Sequence, residues 1–458
     1  MDMQIKDSLL DLIGGTPMLK LNSLDTGLCN LYVKMESNNP GGSIKDRVGL
    51  SIIQEAETSG ALQPGGTIIE ATAGNTGIGL ALVAALKGYK IILVIPDKMS
   101  REKILHLEGL GAEIILTRSD VPEGHPEYYQ DVARKLALDT PGSFLANQFG
   151  NPANPMAHRT TTAPEIWDQM EGKIDAVVAG VGSGGTLTGL AEFFKSKDPS
   201  ICMVAADPEG SIVADAILKG EYSYDGGSWL VEGVGEDFIP DVFETSLMDD
   251  AETVTDKEAF EVLQIILKEE GVLGGSSSGT LVAAAAKWCR KQTEPKNVVT
   301  FICDTGNKYL SKAFNKSWLH DNNLLELEKF GDLRDLINRR ADKGEMITVS
   351  TSETLLVAYN RMRASDISQI PVLSDGKLVG VLDEEDLLFT VSKEPGKFSD
   401  NVSLHMIDRL DTLQFDASKD ELLSILSEGK VAIVYKGETF IGFVTKVDLI
   451  NFYRNKLN

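Results

Sequence analysis

The chain has 458 residues, of which 42% are hydrophobic, so it is long enough for two to four domains with buried cores. Its net charge of −24 argues against a nucleic-acid surface or an anionic membrane as partner, because both need clustered Lys or Arg. The four cysteines lack paired spacing, which predicts no disulfide framework and no metal site and fits a reducing cytoplasm. Neither a signal-peptide core nor a membrane-spanning apolar run is present in the sequence.

The first informative stretch is 38–47, Asn-Asn-Pro-Gly-Gly-Ser-Ile-Lys-Asp-Arg. Its Pro-Gly-Gly ends the preceding element, and Ser43 can then cap a helix that carries Lys45 in its first turn. The positive end of the helix dipole opposes an ammonium there and favours the neutral amine that a Schiff-base lysine needs. Taken alone, this stretch is also typical of a solvated lysine at a loop-to-helix junction.

The stretch resembles the cofactor-lysine motif of the fold-type II pyridoxal-phosphate enzymes, in particular the branch that holds cystathionine β-synthase and cysteine synthase. The resemblance covers the first two thirds of the chain in separated motifs that follow the family's order. It implies pyridoxal 5'-phosphate as cofactor, with Lys45 bonded to it and acting as the catalytic base. Haem-containing members carry an additional N-terminal segment with Cys and His ligands; this chain reaches its motifs almost at once, so no haem is expected.

The elements that follow alternate between strand and helix. β-Branched or apolar runs at 67–70, 90–95, 113–117 and 203–207 alternate with helical stretches and glycine-containing loops. This pattern predicts an α/β fold with a mostly parallel, doubly wound sheet, whose ligands bind at the carboxyl ends of the strands. The resemblance implies the fold-type II, tryptophan synthase β-like version of that architecture.

The loop at 72–77 follows the first of these strands and reads Thr-Ala-Gly-Asn-Thr-Gly. Hydroxyl, amide and backbone N–H groups at a helix start can cradle a carboxylate, although a capped turn has the same composition. The resemblance implies contacts to the substrate carboxylate from Thr72, Ala73, Asn75 and Thr76, and a contact from Asn75 to the cofactor ring oxygen. Ala73 stands where many relatives have Ser, which removes one hydroxyl from the carboxylate site.

An Asn- and Pro-rich stretch at 146–167 predicts an ordered loop before a helix. Gln148 is interpreted as a second contact to the substrate carboxylate. His158 is either a general base or a packing histidine, and the packing role is favoured because the family uses the cofactor lysine for proton transfer.

The loop at 180–186 has two interpretations. Gly180, Gly182 and Gly185 satisfy G-x-G-x-x-G and Asp207 ends the next strand, as in a dinucleotide-binding fold. The same glycines with hydroxyl side chains at a helix start also suit a terminal phosphate. The Lys45 and Asn75 motifs favour the second interpretation, and the resemblance assigns the cofactor phosphate to Gly182, Ser183, Gly184, Gly185 and Thr186.

The loop at 231–240 predicts a movable gate because two glycines free its backbone. Substrate contacts are expected at Glu232, Gly233 and Gly235. The acids Glu232 and Asp237 resemble the cystathionine β-synthase pattern more than that of the cysteine synthases, whereas Glu236 replaces the Tyr often found there.

The stretch 274–279, Gly-Gly-Ser-Ser-Ser-Gly, precedes an Ala-rich helix. By resemblance, Ser277 is the partner of the cofactor's pyridine nitrogen, with Ser276 as the alternative. A neutral hydroxyl at that position leaves the ring a milder electron sink, which suits β-elimination and replacement.

The C-terminal part contains an internal repeat. Gly380 and Gly442, and likewise Asp386 and Asp448, are separated by 62 residues. The repeats, at about 344–392 and 400–458, resemble a pair of α/β CBS domains, a Bateman module. Such a module is expected to bind S-adenosylmethionine or an adenine nucleotide at Thr445 and Asp448; a ligand-free packing or dimerisation module is the alternative.

These motifs predict a catalytic domain at 1–319, a linker at 320–343 and a regulatory module at 344–458. The resemblance implies a β-replacement that condenses L-serine with L-homocysteine to L-cystathionine in transsulfuration, with hydrogen sulfide from cysteine as a side activity. An O-acetylserine-dependent cysteine synthase with a regulatory module is the nearest alternative, and a nucleotide-sensing protein with a degenerate catalytic half is another. We expect small-molecule amino-acid substrates and a homodimer or homotetramer.

Overall fold

The computed structural model describes residues 5–72, 74–97, 99–121, 124–222, 227–325, 330–337 and 339–454. Ala73, one of the expected substrate contacts, therefore lies outside the described residues. The chain divides into two compact units, Met1–Asn315 and Lys316–Asn458. In the described part of the chain, no helix combines the length and the apolar character needed to cross a membrane.

The first unit alternates strands with helices, as the sequence predicts. Its strands are β1 (Met18–Leu21), β2 (Asn30–Met35), β3 (Thr67–Ala71), β4 (Lys90–Pro96), β5 (Glu113–Thr117), β6 (Ser143–Leu145), β7 (Ala176–Gly180), β8 (Cys202–Pro208), β9 (Asp250–Val254) and β10 (Asn297–Ile302). Its helices are α1 (Lys45–Ser59), α2 (Asn75–Lys87), α3 (Arg101–Gly109), α4 (Tyr129–Asp139), α5 (Ala153–Ala157), α6 (Ala163–Gln169), α7 (Gly185–Lys197), α8 (Val213–Lys219), α9 (Asp256–Glu270) and α10 (Ser276–Arg290).

These strands form two sheets. One has the order β1-β2-β10-β7-β8-β9 and the other the order β5-β4-β3-β6. Neighbouring strands run parallel, except that β1 is antiparallel to β2. The predicted mostly parallel α/β class is confirmed. The alternation of elements does not reveal that the strands belong to two sheets, because it contains no information on which strands pair.

Two glycines bring helices α1 and α2 into close contact. A Cβ atom on Gly49 would lie 2.5 Å from the carbonyl carbon of Gly79, and a Cβ on Gly79 would lie 2.5 Å from the carbonyl oxygen of Lys45. Larger residues would force the helices apart, since 2.5 Å is far below a van der Waals contact. The first turn of α1, which carries Lys45, is thereby packed directly against α2.

The second unit contains helix α11 (Lys316–Asp321) and two copies of one motif. The copies are β11 (Val349–Ser350), α12 (Leu355–Ser365), β12 (Gln369–Ser374), β13 (Lys377–Asp383) and α13 (Glu384–Lys393), then β14 (Thr412–Gln414), α14 (Lys419–Ser427), β15 (Ala432–Lys436), β16 (Thr439–Val444) and α15 (Lys446–Arg454). Each copy forms a three-stranded sheet with a parallel first pair and an antiparallel hairpin. The residue pattern of each repeat predicts the order helix, strand, hairpin, strand, helix, and the structure adds a short leading strand to it, β11 in the first copy and β14 in the second.

The stretch interpreted as a linker contributes to a core of the second unit. Leu333, Leu336 and Ile337 are buried in one cluster with Leu422 and Val434 of the second copy. These three apolar side chains thus pack with the second repeat, although the charged residues around them suggest an exposed connection.

Candidate active site

Lys45 is the first residue of α1, where the sequence places it. The Ser43 hydroxyl accepts a hydrogen bond of 3.2 Å from the backbone N–H of Lys45, and Lys45 Nζ donates to Ser183 Oγ at 3.2 Å. Burial lowers the pKa of Lys45 below its ordinary value of 10.5. The amine is therefore easier to deprotonate than that of an ordinary lysine.

The glycine-rich loop after β7 ends at the start of α7. Gly184 has a φ of 80° and precedes the first helical residue, Gly185. A Cβ on Gly182 would lie 2.6 Å from the carbonyl oxygen of Gly233, so a side chain at that position has no room. Because the first N–H groups of a helix have no intrahelical acceptor, this loop can present several donors to one anion.

Two buried side chains behind this loop hold its hydroxyl groups. Asn154 Nδ2 donates to Ser183 Oγ at 2.9 Å, and His158 Nε2 lies 3.1 Å from Thr186 Oγ1. The other ring nitrogen of His158 lies 3.0 Å from Thr162 Oγ1. Burial holds the pKa of His158 well below its usual range, so the ring is neutral. These contacts match the packing role of His158, and Asn154 is a site residue that the sequence analysis missed.

The loop after β3 brings together residues that were predicted from separate motifs. Thr76 Oγ1 donates to Gln148 Oε1 at 2.6 Å, and both side chains are buried. Thr72 Oγ1 accepts a bond of 3.1 Å from the N–H of Gly74, while Asn75 Nδ2 donates to Asp304 Oδ2 at 2.7 Å. Hydroxyl and amide groups thus converge at the carboxyl end of β3.

Ser276 and Ser277 have different partners. The Ser276 hydroxyl accepts a bond of 3.0 Å from the backbone N–H of Glu232. Ser277 and the charge of Lys45 both act to lower the pKa of the Cys303 thiol, against the larger effect of burial. Burial raises the pKa of Cys303 above its ordinary value, which keeps the thiol protonated.

The gate loop carries a buried carboxylate between two ammonium groups. Glu232 lies 2.8 Å from Lys103 Nζ and 2.7 Å from Lys312 Nζ. Burial opposes its ionisation, but the two lysines outweigh burial and hold the pKa of Glu232 below its ordinary value. The N–H of Gly235 donates to the carbonyl of Val181 at 2.8 Å, so the gate loop contacts the glycine-rich loop.

In the second unit, Thr445 and Asp448 bond to each other at the start of α15. Thr445 Oγ1 donates to Asp448 Oδ2 at 2.6 Å, and the N–H of Thr445 donates to the same oxygen at 2.7 Å. In the first copy, the N–H of Asp386 donates to Asp383 Oδ1 at 2.8 Å. Each pair forms hydrogen bonds typical of helix capping, which neither requires nor prevents a ligand.

Comparison with known proteins identifies the family. The family described as pyridoxal-phosphate dependent enzyme matches residues 9–304, and the CBS domain family matches residues 333–393. Cystathionine beta-synthase of Dictyostelium discoideum is 38% identical over 98% of this chain and 92% of its own length. The chain belongs to the cystathionine beta-synthase family of pyridoxal-phosphate dependent enzymes.

Two solved structures resemble about two thirds of the chain. The O-acetylserine dependent cystathionine beta-synthase from Helicobacter pylori is 40% identical with a TM-score of 0.62, and the match covers 68% of this chain and 99% of that one. A hydrogen sulfide-producing enzyme from Fusobacterium nucleatum is 38% identical with a TM-score of 0.62, and the match covers 67% of this chain and 100% of that one.

The residues around Lys45 fit the family's cofactor. A half-buried lysine with a lowered pKa suits an aldehyde carbon, and the start of α7 suits a phosphate. Asn154 Oδ1 is buried and has no hydrogen-bond partner among the described residues. A Cβ on Gly185, which packs against Asn154, would lie 2.2 Å from this oxygen. Only glycine therefore lets the backbone of the glycine-rich loop come this close to the Asn154 amide.

Proposed function

We propose that the protein condenses L-serine with L-homocysteine to give L-cystathionine by a pyridoxal-phosphate-dependent β-replacement. The Cβ–O bond of serine breaks, a Cβ–S bond forms, and the thiol proton leaves with the hydroxyl group as water. The observation that carries the proposal is the half-buried Lys45 amine, 3.2 Å from Ser183 of the glycine-rich loop, in a chain with near full-length cystathionine beta-synthase relatives.

The cofactor, when bound, supplies the electron sink that lets the Cα proton and then the β-substituent depart. Lys45 would hold the cofactor covalently until the amino group of the substrate displaces Nζ, and the freed amine would then accept the Cα proton. Its lowered pKa favours the free base needed for that transfer. The phosphate is assigned to Gly182, Ser183, Gly184, Gly185 and Thr186.

The remaining predicted residues orient the ligands. Ser277 pairs with the ring nitrogen and Asn75 with the ring oxygen. The substrate carboxylate is assigned to Thr72, Ala73, Asn75, Thr76 and Gln148. The second substrate is assigned to the gate loop, at Glu232, Gly233 and Gly235. The hydrogen bond between Thr76 and Gln148 supports a single carboxylate site built from both loops.

A comparison of substrate pairs tests the reaction. Product formation from serine plus homocysteine is measured beside that from O-acetylserine plus sulfide, with wild-type protein and with Lys45→Ala. We expect cystathionine as the main product of the wild type and none from the variant. A large preference for O-acetylserine plus sulfide would contradict the proposal. Borohydride reduction of the holoprotein followed by peptide mapping should place a pyridoxyl label on Lys45.

An O-acetylserine-dependent activity is the second candidate, as a cysteine synthase that carries a regulatory module. The similarity to the O-acetylserine dependent Helicobacter pylori enzyme favours O-acetylserine as the first substrate, and Ala73, at a position where many relatives have Ser, leaves that preference open. A Staphylococcus aureus cysteine synthase, 42% identical over 67% of this chain and 96% of its own length, supports the cysteine synthase activity. The Fusobacterium nucleatum structure supports hydrogen sulfide release from cysteine as a side activity. A sulfide assay with cysteine plus homocysteine tests that activity.

The second unit is proposed to bind S-adenosylmethionine or an adenine nucleotide at Thr445 and Asp448. The CBS domain match covers residues 333–393 in the first copy. The 62-residue repeat and the position of both side chains at the start of α15 support the assignment in the second copy. Calorimetry of the full chain with S-adenosylmethionine, ATP and AMP tests it, with Asp448→Ala as the matched variant. We also propose that the protein is cytoplasmic and forms a homodimer or homotetramer. Light scattering measures the oligomeric state.

A further inference from the structure

A short segment of the first unit, residues 303–308, crosses the loops on either side of the Lys45 site. The carbonyl of Cys303 accepts a bond of 2.8 Å from the N–H of Ile44, and Ser43 pairs with Asp304 as an isolated antiparallel bridge. The carbonyl of Asp304 accepts a bond of 3.0 Å from the N–H of Gly275. This crossing segment therefore joins the Lys45 loop to the serine loop.

The segment ends in a buried lysine. Lys308 is 4% exposed and donates to the carbonyl of Gly41 at 2.8 Å, to Asn75 Oδ1 at 2.9 Å and to the carbonyl of Gly42 at 3.3 Å. An ammonium group has three donors, so these acceptors account for all of them. Lysine is seldom buried this deeply without a specific partner.

The Asn75 side chain is held at both ends. Its Oδ1 accepts from Lys308, and its Nδ2 donates to Asp304 Oδ2 at 2.7 Å. A flipped amide would place a donor against the ammonium and an acceptor against the carboxylate, and both contacts would be repulsive. The two charged residues of the crossing segment thus fix the orientation of this amide.

The charge on Lys308 has a cost that its surroundings offset. Burial lowers the pKa of Lys308 to about 8, and the carboxylates of Asp304 and Asp46 oppose that change. A neutral side chain could fill the same volume without this penalty. The charge therefore has a role beyond filling space.

We infer that Lys308 is a positioning residue of the active site that acts through Asn75. The inference rests on the proposed function, in which Asn75 contacts both the cofactor ring and the amino-acid substrate. Without the ammonium, Asn75 loses one of its two anchors, whereas the turn before Lys45 keeps its backbone bonds to the crossing segment. The residue touches neither substrate nor cofactor in this scheme.

The test compares Lys308→Met, Lys308→Gln and Lys308→Arg by three readouts: the Kd for pyridoxal phosphate, the visible circular dichroism of the bound cofactor, and kcat and KM for the amino acid. We expect Lys308→Met to raise the Kd and the KM at least tenfold and to alter the dichroism. Lys308→Arg should recover most of each value, since it keeps the charge. Lys308→Gln provides the uncharged comparison if the methionine variant does not fold.

Lys34→Met is the matched control, because Lys34 is also buried and bonded to three acceptors, none of which belongs to the Lys45 turn, Asn75 or the crossing segment. It should lower the melting temperature and leave the cofactor dichroism unchanged. If Lys34→Met alters the dichroism as much as Lys308→Met does, a positioning role for Lys308 is excluded.

A double-mutant cycle with Asn75→Ala tests whether the effect of Lys308 on KM passes through Asn75. If Lys308 acts through Asn75, Lys308→Met should change the KM less than twofold in the Asn75→Ala background. Fully multiplicative effects, or a Lys308→Met protein with wild-type constants, overturn the inference. A wild-type protein that gains no pyridoxyl label on Lys45 overturns the proposed function instead, so the two failures are distinct.

Discussion

Lys45 Nζ and Ser183 Oγ lie 3.2 Å apart although 138 residues separate them in the chain. The hydroxyl of Ser183 also accepts a bond of 2.9 Å from Asn154 Nδ2, which in turn bonds the carbonyl of Gln148 at 2.8 Å. One amide therefore links Lys45, the glycine-rich loop and the loop proposed to bind the substrate carboxylate.

The first prediction concerns that amide. Asn154→Ala removes the donor to Ser183 and leaves a small cavity beside Gly185, so we expect the Kd for pyridoxal phosphate to rise about tenfold, as it does when supporting partners of a ligand site are lost. Equilibrium dialysis measures it. Asn38→Ala, at an exposed position before the Lys45 loop, is the control and should leave the Kd unchanged. Equal Kd values for Asn154→Ala and wild type would contradict the prediction.

The second prediction concerns the buried ion pairs of the gate loop. Glu232→Gln leaves Lys103, whose side chain is 2% exposed, without a charged partner. Breaking a buried pair in this way costs about 3 to 5 kcal/mol. We expect a loss of that size in urea unfolding of the apoprotein. Glu57→Gln, which breaks a half-exposed pair with Lys87, is the control and should lower the unfolding free energy by less than about 1 kcal/mol. Equal losses of unfolding free energy in the two variants would contradict the prediction.

The third prediction uses the pH dependence of Glu70. Burial raises the pKa of Glu70 from 4.5 to about 8, because backbone N–H groups only partly replace water around the carboxylate. The folded state therefore holds this proton more tightly than the unfolded state, and the contribution to stability falls as the pH rises from about 4.5 to about 8. Glu70→Gln stays neutral throughout. Its unfolding free energy should improve relative to wild type between pH 5 and pH 8, whereas parallel changes in the two proteins would contradict the assignment.

The fourth prediction concerns Glu165, whose pKa is shifted in the opposite direction to that of Glu70. Arg47 and Lys34 outweigh the effect of burial and lower the pKa of Glu165 from 4.5 to about 2. Its stabilising contribution is therefore fully present above pH 4.5 and is lost as the pH falls toward 2. Glu165→Gln should be clearly less stable than wild type at pH 6, and the difference should shrink at pH 3.5. Thermal unfolding at the two pH values measures this, and a constant difference would count against the ion pair.

The sequence contained the principal motifs of the catalytic unit because local patterns specify them. The Lys45 turn, the glycine-rich loop before α7 and the carboxylate loop before α2 each combine turn-forming residues with a helix start. The 62-residue repeat likewise predicted the duplicated elements of the second unit. The linker interpretation of residues 320–343 did not anticipate that Leu333, Leu336 and Ile337 pack in a core of the second unit. The composition of a charged stretch does not show whether a few apolar side chains within it are buried.

By itself, the sequence determined the α/β class, the repeat and the candidate lysine, because helix starts, turns and alternation depend on neighbouring residues. Only the tertiary structure decided that Asn154 supports Ser183, that Lys103 and Lys312 hold Glu232, and that Lys308 reaches Asn75 across 233 residues of chain. A hydrogen bond between distant segments leaves no spacing pattern in the sequence, since its geometry depends on how the sheets and helices pack.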